Sequence, residues 1–135
     1  MTAMTPQEIA KKGLVYDMPG TADLLVRRDL EFTGADGSPL SMDMYLPPGE
    51  RGAPPPVVVL VSGYKDEGAL KILGCRFKEM QSNASWARLT AASGMAAVMY
   101  TNREPARDFL AMLSHVQRSA STLGVDGERL GLWAS

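Results

Sequence analysis

The spacing of hydrophobic positions changes along this chain, and the changes mark its elements. In residues 24–32 every second position is Leu24, Val26, Arg28, Leu30 and Phe32. Residues 40–46 alternate more cleanly, with Leu40, Met42, Met44 and Leu46 set against Ser41, Asp43 and Tyr45. A period of two predicts strands. The Asp36-Gly37 pair between them predicts a tight turn, so the two runs form an antiparallel hairpin with one wetter face. Residues 47–56 are rich in Pro and Gly and read as a surface connector within one domain. At Val57 the alternation stops. Val57, Val58, Val59, Leu60 and Val61 form a β-branched apolar run, which predicts a central parallel strand covered on both faces. Ala96–Tyr100 and residues 130–134 read the same way.

Between these strands the spacing turns helical. Residues 69–81 carry Ala69, Leu70, Ile72 and Leu73 but are interrupted by Gly74. Ser82 or Asn83 caps a helix running to about residue 93, with Trp86 and Leu89 on its inner face and Gly94 as its stop. Pro105 opens a longer helix to about Leu123, with Phe109, Met112, Leu113, Val116 and Ala120 at helical spacing and Gly124 as its end. Near the start, Thr5-Pro6-Gln7-Glu8 is a capping box with proline at the first helical position, and Gly13 ends that short helix. The order is a hairpin, then strand–helix–strand–helix–strand. That predicts an α/β fold: an N-terminal antiparallel hairpin followed by parallel strands with right-handed crossover helices.

Composition narrows the function classes. A net charge of -1 gives no basic excess for a nucleic-acid partner. The single cysteine, Cys75, excludes an internal disulfide and a cysteine-based metal site. The longest apolar run, 57–61, is too short to span a bilayer, and the first twelve residues lack the apolar stretch of a secretory signal. The expectation is a soluble, cytoplasmic protein with no membrane partner. No Gly-rich phosphate loop follows Val61, so a nucleotide cofactor is not supported, and none is expected.

The last residues, Arg129-Leu130-Gly131-Leu132-Trp133-Ala134-Ser135, follow the turn Val125-Asp126-Gly127-Glu128. A buried strand ending in a small residue and then serine is how a nucleophile elbow begins. From about Leu24 to Ser135 the chain resembles the N-terminal half of the α/β-hydrolase superfamily, in particular its dienelactone-hydrolase-like and esterase-like members. Three features carry the resemblance: the leading hairpin, the run 57–61 followed by Ser62-Gly63-Tyr64, and residues 123–135 as the approach to a G-x-S-x-G elbow. Ser62 stands where the family often has histidine, and Ala134 stands at the elbow's first glycine in the best register. In that register Ser135 is the variable position and the nucleophile is the next residue. In a second register Ser135 is the nucleophile, with Trp133 in place of the first glycine.

The resemblance implies a partial hydrolase sheet, strands 1 to 5, with residues 1–23 as an N-terminal helix and loop and 24–135 as the domain's leading half. It implies a serine hydrolase cleaving carboxylic esters, or secondarily amides, through an acyl-enzyme. The oxyanion donor falls on the backbone N–H of Tyr64, with Gly63 allowing a tight turn. The triad acid and histidine follow the elbow in family order, so the remainder of the domain is the expected partner, and residues 1–135 alone are expected to be inactive. Lys65, Asp66, Glu67, Asn102 and Arg103 lie at strand carboxyl ends, where α/β sheets bind ligands, and Lys65 and Arg103 are the candidate substrate contacts. His115, mid-helix and before the nucleophile, reads as structural, as do Cys75 and the core anchor Trp86. The competing reading is a small non-catalytic α/β binding or interaction module.

Overall fold

The computed structural model describes residues 3–13, 18–49 and 52–134. Helix α1 (Pro6–Ala10) precedes the hairpin strands β1 (Leu25–Thr33) and β2 (Pro39–Leu46). Then follow β3 (Pro56–Val61), α2 (Asp66–Leu73), α3 (Gln81–Ala92), β4 (Ala96–Tyr100), α4 (Pro105–Arg118), α5 (Ala120–Leu123) and β5 (Asp126–Ala134). The sheet order is β1-β2-β4-β3-β5. β2 is antiparallel to β1 and β4, while β3 is parallel to both β4 and β5. The central parallel strand expected at 57–61 is therefore present, with a parallel neighbour on each side.

Local signals account for the element ends. The Thr5 hydroxyl accepts the Glu8 N–H at 3.1 Å, and the Glu8 carboxylate accepts the Thr5 N–H at 2.8 Å, closing the capping box. The helix stops at Ala10, short of Gly13, because one turn that buries only Ala10 has little to extend it. Gly37 takes φ +84° in the hairpin turn, and Gly74 takes φ +76° at the end of α2. Gly74 thus terminates a helix that begins at Asp66, so Asp66 and Glu67 sit in a helical first turn instead of a loop. Neither Ser82 nor Asn83 caps α3. Met80 holds that position, and Asn83 donates from inside the helix to the Phe77 carbonyl at 3.0 Å. The long helix expected to reach Leu123 breaks at Ser119 into α4 and α5.

The hairpin departs from the expected single wetter face. Val26 pairs with Tyr45 and Arg27 with Met44, but Leu30 pairs with Met42, so Arg28 and Asp29 together oppose Asp43. This β-bulge puts Asp29 at φ +56° and reverses the side-chain phase. Leu24 and Val26 pack into a cluster with Tyr45, Leu60, Phe77, Ala84, Ala87, Ala91, Ala97 and Met99. Leu30 and Phe32 pack on the opposite face with Met42, Met44, Val57, Val98, Met112 and Val116. Both faces of β2 are therefore covered, one by α3 and one by α4, and Asp43 and Tyr45 are buried. A side chain expected among the wetter set, Asp43, meets Lys78 instead of water: its Oδ1 lies 2.9 Å from Lys78 Nζ.

Asp108 ties α4 to the hairpin. Its carboxylate accepts N–H groups from Ala35, Arg103 and Glu104, each at 2.8 Å. Burial alone would raise this carboxyl, but the three backbone donors outweigh it and hold it below its ordinary 3.8. A depressed folded-state value means the stabilisation is fully present above that ordinary value and is lost as pH falls through the folded one. Asp108→Asn removes charge-assisted bonds worth about 1.5–3 kcal/mol each before compensation. In urea titrations, the variant should be less stable than wild type at pH 7, and the gap should shrink below about pH 4. A gap independent of pH would show that the ionised carboxylate is not the cause.

β5 is one of the two edge strands among the described residues, β1 being the other. Between Pro56↔Asp126 and Val57↔Leu130 its register shifts, so the expected turn at Gly127-Glu128 survives as an irregularity inside the strand. The reading of 130–134 as covered on both faces is not met. Leu130 is half-buried, but Leu132 is 55% exposed and Trp133 36% exposed.

Candidate active site

Helices leaving adjacent strands β3 and β4 pack on opposite faces of the sheet, α3 on one and α4 on the other. Such a divergence opens a crevice at the strands' carboxyl ends. Here the crevice is closed by polar groups from residues 62–66 and 101–103. Ser62 is buried, its N–H donates to the Tyr100 hydroxyl at 3.3 Å, and its own hydroxyl donates to the Tyr64 carbonyl at 3.1 Å. Burial pushes the Tyr100 hydroxyl up to about 12, so it stays a neutral partner. Asn102 donates from Nδ2 to that same Tyr64 carbonyl at 3.0 Å and accepts the Asp66 N–H at 3.0 Å. Asp66 in return accepts the Asn102 N–H at 2.9 Å and the Phe77 N–H at 3.1 Å. Burial raises the Asp66 carboxyl against these donors. A raised carboxyl in a crevice can mark an acid–base group, but both oxygens of Asp66 are already engaged with backbone, so it acts here as a clamp.

Between these anchors, the N–H groups of Gly63 and Tyr64 make no hydrogen bond among the described residues. Gly63 does not use the left-handed backbone region, and a Cβ there would meet nothing within 4 Å. A left-handed φ is therefore not what requires glycine here, and the space above it is open. That space continues into a cleft of about 340 Å³ lined by Gly63, Tyr64, Phe77, Met80, Trp86 and Trp133. Trp86 and Trp133 meet edge to face with centroids 4.7 Å apart. Trp86 is 40% exposed, so it is a cleft wall and not the core anchor expected from its helical position; the inner face of α3 is Ala84, Ala87 and Ala91. β5 reaches the same end of the sheet. Ala134 pairs with Val61, so the chain leaving β5 emerges one strand spacing, about 4.8 Å, from the chain leaving β3.

No family model matches the chain, and no curated protein matches it by sequence. Solved structures do match it by shape. A brefeldin A esterase, described as a bacterial homologue of human hormone-sensitive lipase, superposes with a TM-score of 0.66 at 19% identity, over 95% of this chain and 36% of its own. A bacterial heroin esterase gives 0.62 at 19% identity, over 84% and 36%. A hypothetical protein from Pseudomonas aeruginosa gives 0.63 at 21% identity, over 85% and 36%. The chain has a partial α/β-hydrolase fold. It spans about 36% of the length of these structures, a smaller share than the half expected from sequence.

Within this partial hydrolase fold the predicted site residues divide. Gly63 and Tyr64 lie together at the carboxyl end of the central strand, beside the end of β5. Ser135, the candidate nucleophile position, lies outside the described residues. Lys65 is exposed at the N-cap position of α2. Arg103 points elsewhere: its guanidinium lies 3.4 Å from Asp36 and 3.3 Å from the Pro39 carbonyl, on the hairpin turn. His115 is about 15 Å along α4 from the helix start, counting ten residues, and its ring lies 6.1 Å from that of Phe32. Burial, then Arg118, lowers its pKa. Cys75 is half-buried and its thiol is raised by burial and by Glu79 and Asp66, the reverse of an activated nucleophile. No helix among the described residues is long and apolar enough to cross a membrane, and none of their His, Cys, Asp and Glu side chains group as a metal site. The Asp66–Asn102 clamp was missed as such. Asp-Glu opening a helical turn was its one local sign, and the pairing across 36 positions left none.

Proposed function

We propose that this chain forms the front part of a serine hydrolase that cleaves carboxylic esters through an acyl-enzyme. The observation that carries the proposal is the juxtaposition of two strand ends. The N–H groups of Gly63 and Tyr64, uncommitted among the described residues, follow Val61, and Val61 is paired with Ala134, which stands at the first glycine of the expected elbow. A serine at 135 or just beyond then attacks the ester carbonyl carbon. Its proton passes to a histidine supplied outside this chain. The carbonyl oxygen gains negative charge and accepts the Tyr64 N–H. Collapse breaks the bond to the alcohol oxygen and leaves the acyl group on serine, and water then releases the acid. The aromatic cleft suits an apolar part of the ester, with amides as the second substrate class. The likeness to dienelactone hydrolases, a cytoplasmic location and the need for the remainder of the domain belong to the same reading.

Labelling tests it. The full-length protein is treated with a serine-reactive phosphonate and the adduct is mapped by mass spectrometry. An adduct on Ser135 or on the residue after it is the expected result, and Ser135→Ala separates the two registers. No adduct, or one far from this position, would overturn the assignment.

A further inference from the structure

Asn102 is 4% exposed, and its backbone N–H, its amide oxygen and its amide nitrogen each bond to another residue of the protein. Its orientation is forced. The amide oxygen faces the Asp66 N–H and the amide nitrogen faces the Tyr64 carbonyl, and a flipped amide would set donor against donor and acceptor against acceptor. The Tyr64 carbonyl also receives the Ser62 hydroxyl, and the Ser62 N–H is held by Tyr100. The Tyr64 carbonyl shares its planar peptide unit with the Lys65 N–H, so holding it fixes the plane that leaves the Tyr64 Cα. The segment is thus pinned before Gly63 and after Tyr64, and the two N–H groups between the pins have no acceptor among the described residues.

We infer that Asn102 is a positioning residue for the oxyanion donors: through the Tyr64 carbonyl it sets where the N–H groups of Gly63 and Tyr64 point. The inference rests on the hydrolase reading above. Only an amide serves. Asn102→Asp would keep the acceptor for the Asp66 N–H but lose the donor to Tyr64, and would set a second carboxylate against that of Asp66. Because the contact is to the carbonyl of the donor residue and not to substrate, its loss acts on the transition state and not on ground-state binding.

The test uses the full-length enzyme and a p-nitrophenyl ester. Asn102→Ala is expected to lower kcat by about 10²-fold, the scale of a misplaced catalytic group, with KM unchanged within about two-fold. Tyr64→Pro deletes one donor but keeps its carbonyl. Added to that background, Asn102→Ala should cost less than it does in wild type, because one of the two donors it positions is gone. If Asn102→Ala does not fold, Ser62→Ala removes the other anchor of the same carbonyl and should show a smaller kcat loss with the same non-additivity. A loss of equal size in both backgrounds, or one confined to KM, would overturn the inference. Wild-type labelling by the phosphonate with full turnover in Asn102→Ala sinks the positioning role alone. A wild type that neither labels nor turns over sinks it together with the hydrolase reading.

Discussion

Lys78→Met should lower the unfolding free energy of the full-length protein by about 3–5 kcal/mol, read by urea denaturation. The reason is a buried charge pair under the hairpin. Lys78 is 8% exposed and Asp43 2% exposed, and their Nζ and Oδ1 atoms lie 2.9 Å apart. Asp43 also accepts the Asp29 N–H at 2.9 Å and lies 3.5 Å from Arg28, which is half exposed. Lys78 reaches the exposed Asp29 carboxylate at 2.8 Å. Burial alone would lower the lysine; the Asp29 and Asp43 carboxylates outweigh it and raise it, so the ammonium stays charged. Methionine fills the same volume but strands the Asp43 carboxylate between β1 and β4, with one N–H and one distant guanidinium. Asp43→Ala should cost less, because Lys78 keeps Asp29 as its partner. Adding Asp43→Asn to Lys78→Met removes the stranded charge and keeps an acceptor for the Asp29 N–H, so the double variant should regain stability over Lys78→Met. A double variant no better than the single one would show that packing, not buried charge, sets the loss.

That pair also marks the limit of what the hydropathy pattern revealed. The alternation in residues 24–32 keeps one phase in sequence with Arg28 as its one charged member, yet the bulge at Arg28 and Asp29 moves its two ends to opposite faces. That single arginine was the local mark of the inserted residue, and a period of two does not reveal the phase reversal it accompanies. Asp43 and Tyr45 read as wetter positions because the groups that cover them, Lys78 and the alanine face of α3, are more than thirty positions away. Features set by near neighbours were legible: the capping box at Thr5 and Glu8, the Asp36-Gly37 turn, and the apolar runs of β3 and β4. The site divides the same way. Its place at the carboxyl end of β3 followed from the run 57–61 and the residues after it. Its rigidity comes from Asp66 and Asn102, read from sequence as residues at ligand-binding strand ends, and the structure buries both. Trp86 was placed inward by helical spacing, but small alanines take the core face of α3 and leave the indole to meet Trp133.

On the proposed hydrolase reading, Tyr64→Pro should lower turnover of the full-length protein by about 10²–10³-fold, the loss typical of deleting one oxyanion donor. Proline removes the N–H and keeps the carbonyl that Ser62 and Asn102 hold, so the clamp around the loop has reason to persist. The side chain needs its own control, since the Tyr64 ring packs edge to face on Phe77 with centroids 6.0 Å apart. Burial raises its hydroxyl, followed by the nearby Asp66 and Cys75 charges, so it is a neutral phenol across the physiological range and supplies no base. Tyr64→Ala, which keeps the N–H and discards ring and hydroxyl, should therefore retain turnover within about ten-fold of wild type. The two variants bracket the claim. Equal losses would assign the effect to the aromatic wall of the cleft. Full turnover in a folded Tyr64→Pro protein would move the oxyanion donor away from this loop, and the uncommitted N–H groups beside β5 would lose their chemical meaning.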